Sequence, residues 1–285
     1  MRIEVNGVRL FVDIEGAGLV PDGPFMRQKH TIIALHGGPG ADHSILKPLL
    51  GQFNDLAQIV YVDHRGNGRS DDGDADTWTL AQWGDDVKTL CDILGIAKPI
   101  VYGASFGGVV AQAYATRHPD HPAALILSAT AAKTEFGMIY KAFETFGGET
   151  AGRIARTYWS DPTPERRQDY FDVCLPLYSL TSPDPHMMQR MIVKTPVAMH
   201  YNGPANEQGQ FDFHNALGAV SCPALIMSGA HDPIMPYPLG ERLANALPRG
   251  EFHLIDNAAH LLETDKPATV LHLMREFIKE VPHAA

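Results

Sequence analysis

The sequence predicts an α/β protein in which a mostly parallel sheet is covered by helices on both faces and interrupted once by a helical insertion. Three observations lead there. Short continuous apolar runs, of the kind buried on both faces of a parallel sheet, recur along the chain. Helical patterns separate most of them. One stretch, residues 130–219, breaks this rhythm with no strand-like run at all.

Ile3 and Val5, then Val8, Leu10 and Val12, alternate on either side of Asn6-Gly7, a dipeptide suited to positive φ, so the chain opens with an antiparallel hairpin. A Gly/Pro-rich connection leads to the first buried strand, Thr31 to Leu35. Strands are further expected at Gln58 to Val62, Pro99 to Tyr102, Ala124 to Ser128, Ala224 to Ser228 and Phe252 to Ile255. The clearest helix follows Thr79, where Thr79 and Gln82 have capping-box spacing, Leu80, Trp83, Val87, Leu90 and Leu94 repeat at helical steps, and Gly95 is placed as a left-handed cap. Other helices are expected at about Phe106 to His118, Leu239 to Leu247 and Pro267 to Glu280. A bare loop as long as residues 130–219 has no place in a compact domain, and that stretch is rich in Phe, Tyr, Met and Pro. The expected division is a core of residues 1–129 and 220–285, with 130–219 as a helical cap.

Composition narrows the function. The 285 residues carry 33 Asp+Glu against 23 Lys+Arg, a net charge of −10, with no compensating basic run. Nucleic-acid binding needs a basic face and starts from a poor position, so no nucleic-acid partner is expected. The expected partner is a small neutral or cationic molecule; the sequence leaves oligomeric state open. Cys91, Cys174 and Cys222 are odd in number and widely spaced, which suggests neither a disulfide framework nor a metal clip. The N-terminus lacks the apolar core of a secretory signal, and no apolar stretch approaches the roughly 18 residues of a spanning helix. A soluble cytoplasmic protein is the expectation, with no membrane partner.

The chemistry centres on Gly103-Ala104-Ser105-Phe106-Gly107-Gly108, which joins an expected strand to an expected helix. Gly-x-Ser-x-Gly in that context is a nucleophile elbow: a turn too sharp for side chains two residues either side, which strains Ser105 and presents its hydroxyl. With 26 Gly in the chain the pattern arises by chance only about 0.07 times. A serine hydroxyl needs a base, and the base needs an orienting carboxylate. His260, in Asn257-Ala258-Ala259-His260-Leu261, follows the last strand at the carboxyl edge of the sheet. Asp232, in Ser228-Gly229-Ala230-His231-Asp232, follows the preceding strand. Its rivals are worse placed: the strand ending at Ser128 has no acid until Glu135, and Asp256 is too close along the chain to His260. His231 is read as structural.

Acyl transfer also needs donors aimed at the developing oxyanion. One is the N–H of Phe106. The other is expected from His36-Gly37-Gly38-Pro39-Gly40 after the first buried strand, with Gly38 preferred and Gly37 as alternative. Neither glycine cluster has phosphate-loop or dinucleotide spacing, so no cofactor is expected, and no metal.

Together these residues resemble the α/β-hydrolase superfamily. The run at 36–40, with Asp63-His64-Arg65-Gly66-Asn67-Gly68-Arg69-Ser70, is similar to proline iminopeptidases and their relatives. The resemblance implies an α/β-hydrolase fold over nearly the whole core and a structural turn at 63–70 braced by Arg65, with no catalytic role for Asp63 or Arg65. The elbow departs from the Gly-Gly-Ser-Trp-Gly usual in proline iminopeptidases. The Trp-Glu and Glu-Asn-His-Tyr contexts that bind their substrate's amine are also missing.

Candidate substrate contacts are therefore spread: Gly37, His43 beyond the glycine loop, Phe136 and Phe143 among the cap aromatics, and Glu144 and Glu207, with Glu149, as acids suited to an amine. Met138, Phe146, Tyr158, Trp159, Phe171, Tyr178, Met187, Met188 and Met191 offer further apolar lining. The expected function is a cofactor-independent serine hydrolase of a small ester, lactone or amide, acting through an acyl-enzyme. Its alternatives are a proline iminopeptidase and, further off, a receptor-like relative or a C–C hydrolase or perhydrolase.

Overall fold

Along the apolar runs, residues of alternate parity go to opposite sides of one eight-stranded sheet. The computed structural model describes residues 1–282. In chain order it runs through β1 (Arg2–Val5), β2 (Val8–Glu15), β3 (Leu19–Asp22), β4 (Phe25–Gln28), β5 (His30–Leu35), α1 (Lys47–Leu50), β6 (Ala57–Val62), α2 (Leu80–Leu94), β7 (Ile100–Ala104), α3 (Phe106–Arg117) and β8 (Ala124–Ser128). Five helices follow, α4 (Phe136–Ser160), α5 (Pro164–Val173), α6 (Met187–Arg190), α7 (Thr195–Tyr201) and α8 (Glu207–Gln210). The chain then closes with β9 (Ala224–Gly229), α9 (Tyr237–Ala246), β10 (Gly250–Ile255), α10 (Leu262–Asp265) and α11 (Pro267–Glu280).

The sheet order is β1-β2-β6-β5-β7-β8-β9-β10, antiparallel through β1, β2 and β6 and parallel from β6 to β10. Ile33, Leu35, Val60, Val62, Val101, Leu125 and Leu127 face α2, α3 and α9. Their neighbours Ile32, Ala34, Ile59, Tyr61, Ile100, Tyr102 and Ile126 face α1 and α11. Because both parities are apolar, the sheet is buried on both sides, and its carboxyl ends are the edge left for a site.

The opening hairpin turns at Asn6 and Gly7, both at positive φ. The Gly/Pro-rich connection differs from expectation: it holds the small β3–β4 hairpin, whose residues are largely exposed and so lack the alternation by which strands are read. α2 has the expected cap at Thr79, whose hydroxyl accepts from the Gln82 N–H at 3.2 Å, and ends at Gly95 with φ 69°. The reciprocal half of the capping box is replaced. Gln82 donates to Asp86 at 2.8 Å, and the Leu80 N–H is taken by the Glu207 carboxylate at 2.8 Å.

Between β8 and β9 the described residues form helices and turns, apart from one bridge between Lys133 and Asp212. A third apolar cluster builds this segment from Ile139, Phe143, Ala155, Tyr158 and Tyr170 and fastens it to Ile234, Met235 and Leu239. α4 is kinked at Gly148, where φ is 79°. Cys91, Cys174 and Cys222 are buried free thiols, and burial pushes Cys91 up to about 12 and Cys222 up to about 11. Among the described residues no helix is long and apolar enough to cross a membrane.

Trp83 of α2 joins this core to the site. It is fully buried, meets the Phe106 ring edge-on at 5.0 Å, and its indole N–H donates to the Arg65 carbonyl at 3.0 Å. Trp83→Ala is expected to destabilise the fold by about 3–5 kcal/mol. Urea unfolding measures it; a midpoint unchanged from the parent would contradict the packing.

Candidate active site

β7 ends at Ala104 and α3 begins at Phe106, leaving Ser105 alone to turn the chain, at φ 52° and ψ −118°. Such a conformation costs a non-glycine residue about 1–3 kcal/mol and persists only where its surroundings over-determine it. They do so here. A Cβ at Gly103 would lie 2.5 Å from the Gly107 carbonyl oxygen, and one at Gly107 would collide with the carbonyls of Leu35 and His36. The Ser105 N–H donates to the Ser128 carbonyl at 2.9 Å, and the Thr130 hydroxyl donates to the Ser105 carbonyl at 2.9 Å. The elbow is pinned to the end of β8, with the Ser105 side chain on a cavity wall.

Asp232 and His260 follow β9 and β10, two adjacent parallel strands, so their loops leave the sheet side by side. The His260 Nδ1 lies 2.8 Å from Asp232 Oδ2. Asp232 is buried, and its other oxygen accepts the N–H groups of Ile234 and Met235, each at 2.8 Å, which fixes the carboxylate. With Nδ1 donating to an anion, Nε2 is the basic nitrogen of the ring. Burial alone would lower the His260 pKa, but the Asp232 charge and hydrogen bond, with the charge of Glu263, outweigh it and hold the ring above its ordinary value.

The glycine loop is held from beneath. The His64 N–H reaches His36 Nε2 at 3.3 Å, so that nitrogen accepts and the ring proton sits on Nδ1, 3.0 Å from the Gly37 carbonyl. Burial lowers the His36 pKa, in keeping with a neutral ring. Since a trans peptide turns its N–H opposite its C=O, fixing the Gly37 carbonyl aims the Gly38 N–H away from His36. The Phe106 N–H, at the start of α3, is one of the amides a helix leaves without an internal partner. The Gly40 N–H donates to Asn67 Oδ1 at 2.5 Å. Arg65 forks onto buried Asp86 at 2.9 and 2.8 Å, bracing the 63–70 turn as the resemblance implied.

Ser105, His260, Gly37 and Gly38 line one cavity of about 400 Å³, within the range of small-molecule sites. Its remaining wall is mostly apolar: Ile45 and Leu49 from the core side, and Tyr158, Trp159, Phe171, Tyr178, Met187, Met188 and Met191 from the inserted segment. Five expected substrate contacts lie elsewhere. His43 is buried with Nδ1 2.6 Å from Asp63, part of the support under the loop. Phe143 is fully buried in the insertion's own core and Phe136 packs against it. Glu144 is exposed and paired with Lys141, and Glu207 caps α2. Met138 and Phe146 also fall outside the cavity, and Glu149 is exposed.

Sequence reasoning passed over two acids after His260. Asp265 accepts from the Ala259 N–H at 2.8 Å, from the Ser179 hydroxyl at 2.7 Å, and from the Leu180 N–H, Thr181 N–H and Thr181 hydroxyl at 2.9 Å each. Burial would raise its pKa; these donors reverse the effect and keep it below the carboxylate norm. Glu263 lines the cavity itself. His260 and Leu261 precede α10 in non-helical backbone, so no helical spacing linked Glu263 to His260.

The family model for the alpha/beta hydrolase fold matches residues 30–267. The chain is similar to 3-oxoadipate enol-lactonase 1 of Acinetobacter baylyi, 26% identical over 247 residues, which cover 85% of this chain and 86% of that one. It is also similar to a proline iminopeptidase of Neisseria gonorrhoeae, 35% identical over 144 residues, covering 49% of this chain and 41% of the relative. Among solved structures, an esterase from Thermogutta terrifontis superposes with a TM-score of 0.73 at 26% identity, over 99% of both chains.

The bonds on Asp265 tie the insertion to the His260 loop. A hydrogen bond to a charged group contributes about 1.5–3 kcal/mol. In Asp265→Ala, amide hydrogen exchange at Leu180, Thr181 and Ala259 is expected to accelerate together, by at least about tenfold; unchanged protection at Ala259 would show the two segments to be independent.

Proposed function

The chain belongs to the α/β-hydrolase fold family, and on that premise we propose that it is a serine hydrolase of small esters, lactones or amides acting through an acyl-enzyme. One observation carries the reading: the strained Ser105, the buried Asp232–His260 pair and the 36–40 loop converge on a single apolar cavity. Ser105 attacks the substrate carbonyl while His260 Nε2 takes the hydroxyl proton. Asp232 holds the ring through Nδ1 and stabilises the imidazolium. The N–H groups of Phe106 and Gly38, with Gly37 as the alternative second donor, receive the negative oxygen of the tetrahedral intermediate. His260 returns its proton to the departing alcohol or amine, leaving Ser105 acylated. Water then attacks the ester carbonyl, with His260 as base, and releases the acid.

In this reading residues 130–219 are a cap over the core of 1–129 and 220–285, and they select the substrate. The aromatic and methionine lining supports an apolar acyl or leaving group. A second reading, removal of an N-terminal residue as in a proline iminopeptidase, is supported by the run at 36–40 and by the match to the Neisseria protein. Comparing proline p-nitroanilide, its N-blocked analogue, short p-nitrophenyl esters and an acyl-homoserine lactone separates them. A requirement for the free imino group selects the peptidase.

Ser105→Ala is expected to lower kcat for p-nitrophenyl acetate by on the order of 10⁵–10⁶-fold and to abolish labelling by a fluorophosphonate probe. Retained turnover would remove Ser105 from the mechanism. The raised His260 pKa sets the pH limb: the protonated ring is inactive as a base, so kcat/KM should fall as pH drops through a value above about 6.5. A profile flat from pH 5 to 8 would contradict that role.

A further inference from the structure

The cavity is apolar, but four charged residues reach it: Arg167, Asp184, Arg190 and Glu263. Two cancel, since Arg190 and Asp184 pair at 2.6 Å. Arg167, from α5 in the inserted segment, lies over the Phe171 ring at 4.1 Å from its centroid and makes no ion pair among the described residues, so this cation belongs to the wall opposite the core. Glu263 differs. It stands on α10, on the core wall that holds His260, and is half-buried; its own backbone N–H favours the carboxylate, and among the described residues no ion pair or bond from another side chain is made to it.

A carboxylate withdrawn from water is costly unless donors and a counter-charge replace the lost hydration, and here one backbone N–H and a histidine charged only when protonated do so in part. Burial accordingly drives the Glu263 pKa up, and the charges of Glu263 and His260 act on each other. The neighbouring Asp265, two residues on, is spoken for by five donors and faces the 179–181 segment. What Glu263 lacks, then, is a cation supplied from the cavity itself.

We propose that Glu263 is a specificity-determining residue that binds a protonated amine of the substrate against the core wall of the cavity, beside the reacting carbonyl. This rests on the hydrolase reading for the site and adds to it a substrate class: an ester or amide carrying an ammonium group, its cationic end turned toward α10 and away from Arg167. The acids that sequence reasoning offered for this task, Glu144, Glu149 and Glu207, lie off the cavity. The anchor comes from the core and not from the insertion. The net charge of −10 adds a long-range attraction for the same class of molecule.

The test separates the anchor from the chemistry by reading binding alone. Equilibrium dissociation constants of 4-phenylbutylammonium and its neutral counterpart 4-phenylbutanol are measured by calorimetry for the full chain and for Glu263→Gln and Glu263→Asp. The ammonium compound is expected to bind at least tenfold more tightly than the alcohol to the parent. The preference should fall to within about threefold in Glu263→Gln and survive in Glu263→Asp, which shows that a folded variant with a carboxylate keeps it. Equal affinities in the parent, or a preference unchanged in Glu263→Gln, would overturn the proposal; the latter would mean a general attraction of cations to an acidic protein. Failure of the hydrolase reading appears separately, as p-nitrophenyl acetate turnover that Ser105→Ala leaves intact.

Discussion

The site depends on a single backbone position. Ser105 adopts a conformation that an isolated peptide avoids, and it is kept there by contacts made from three directions: the carbonyls of Leu35 and His36 against Gly107, the end of β8 through Ser128, and the Thr130 hydroxyl. The first belongs to the connection after β5 and the other two to the one after β8. The side-by-side parallel pairing of β5, β7 and β8 is therefore what makes the turn possible, and the buried, two-sided sheet supplies the stability against which a strain of about 1–3 kcal/mol is tolerated.

Charge is organised around that turn with the same economy of means. Carboxylates with a structural duty are saturated: Asp63 by His43 and the Arg69 N–H, Asp86 by Arg65, Asp265 by five donors, and Asp232 by two amides and His260. The imidazoles divide into two kinds. His36 and His64 are buried and shifted down, which keeps them neutral under the glycine loop, whereas His260 is shifted up by Asp232. Only the last has a carboxylate hydrogen-bonded to its ring, and that bond separates it from the other two, since all three are buried and feel nearby acids.

Much of this was legible in the sequence because its rules are local. Gly-x-Ser-x-Gly between strand and helix dictates a turn whatever surrounds it, and acids or histidines just after parallel strands must emerge at the same sheet edge. The insertion obeys no such rule. Whether Phe143 or Tyr158 faces the cavity depends on the kink of α4 at Gly148 and on how the segment is fastened to Ile234 and Met235. These are tertiary facts without a sequence period. Glu207 illustrates the limit: it is read as a free acid, yet it serves as a distant cap for α2, 127 residues away. The β3–β4 hairpin escaped for the opposite reason, since strands exposed on both faces carry no hydrophobic signature.

Asp265 has a consequence for how such a protein is altered. Because one carboxylate satisfies both the 179–181 segment and the Ala259 N–H beside His260, the inserted helices are not an interchangeable module dropped onto a finished core. A chimera that brought a foreign insertion would need to return matching donors at three consecutive residues, or leave a buried anion unsatisfied next to the histidine.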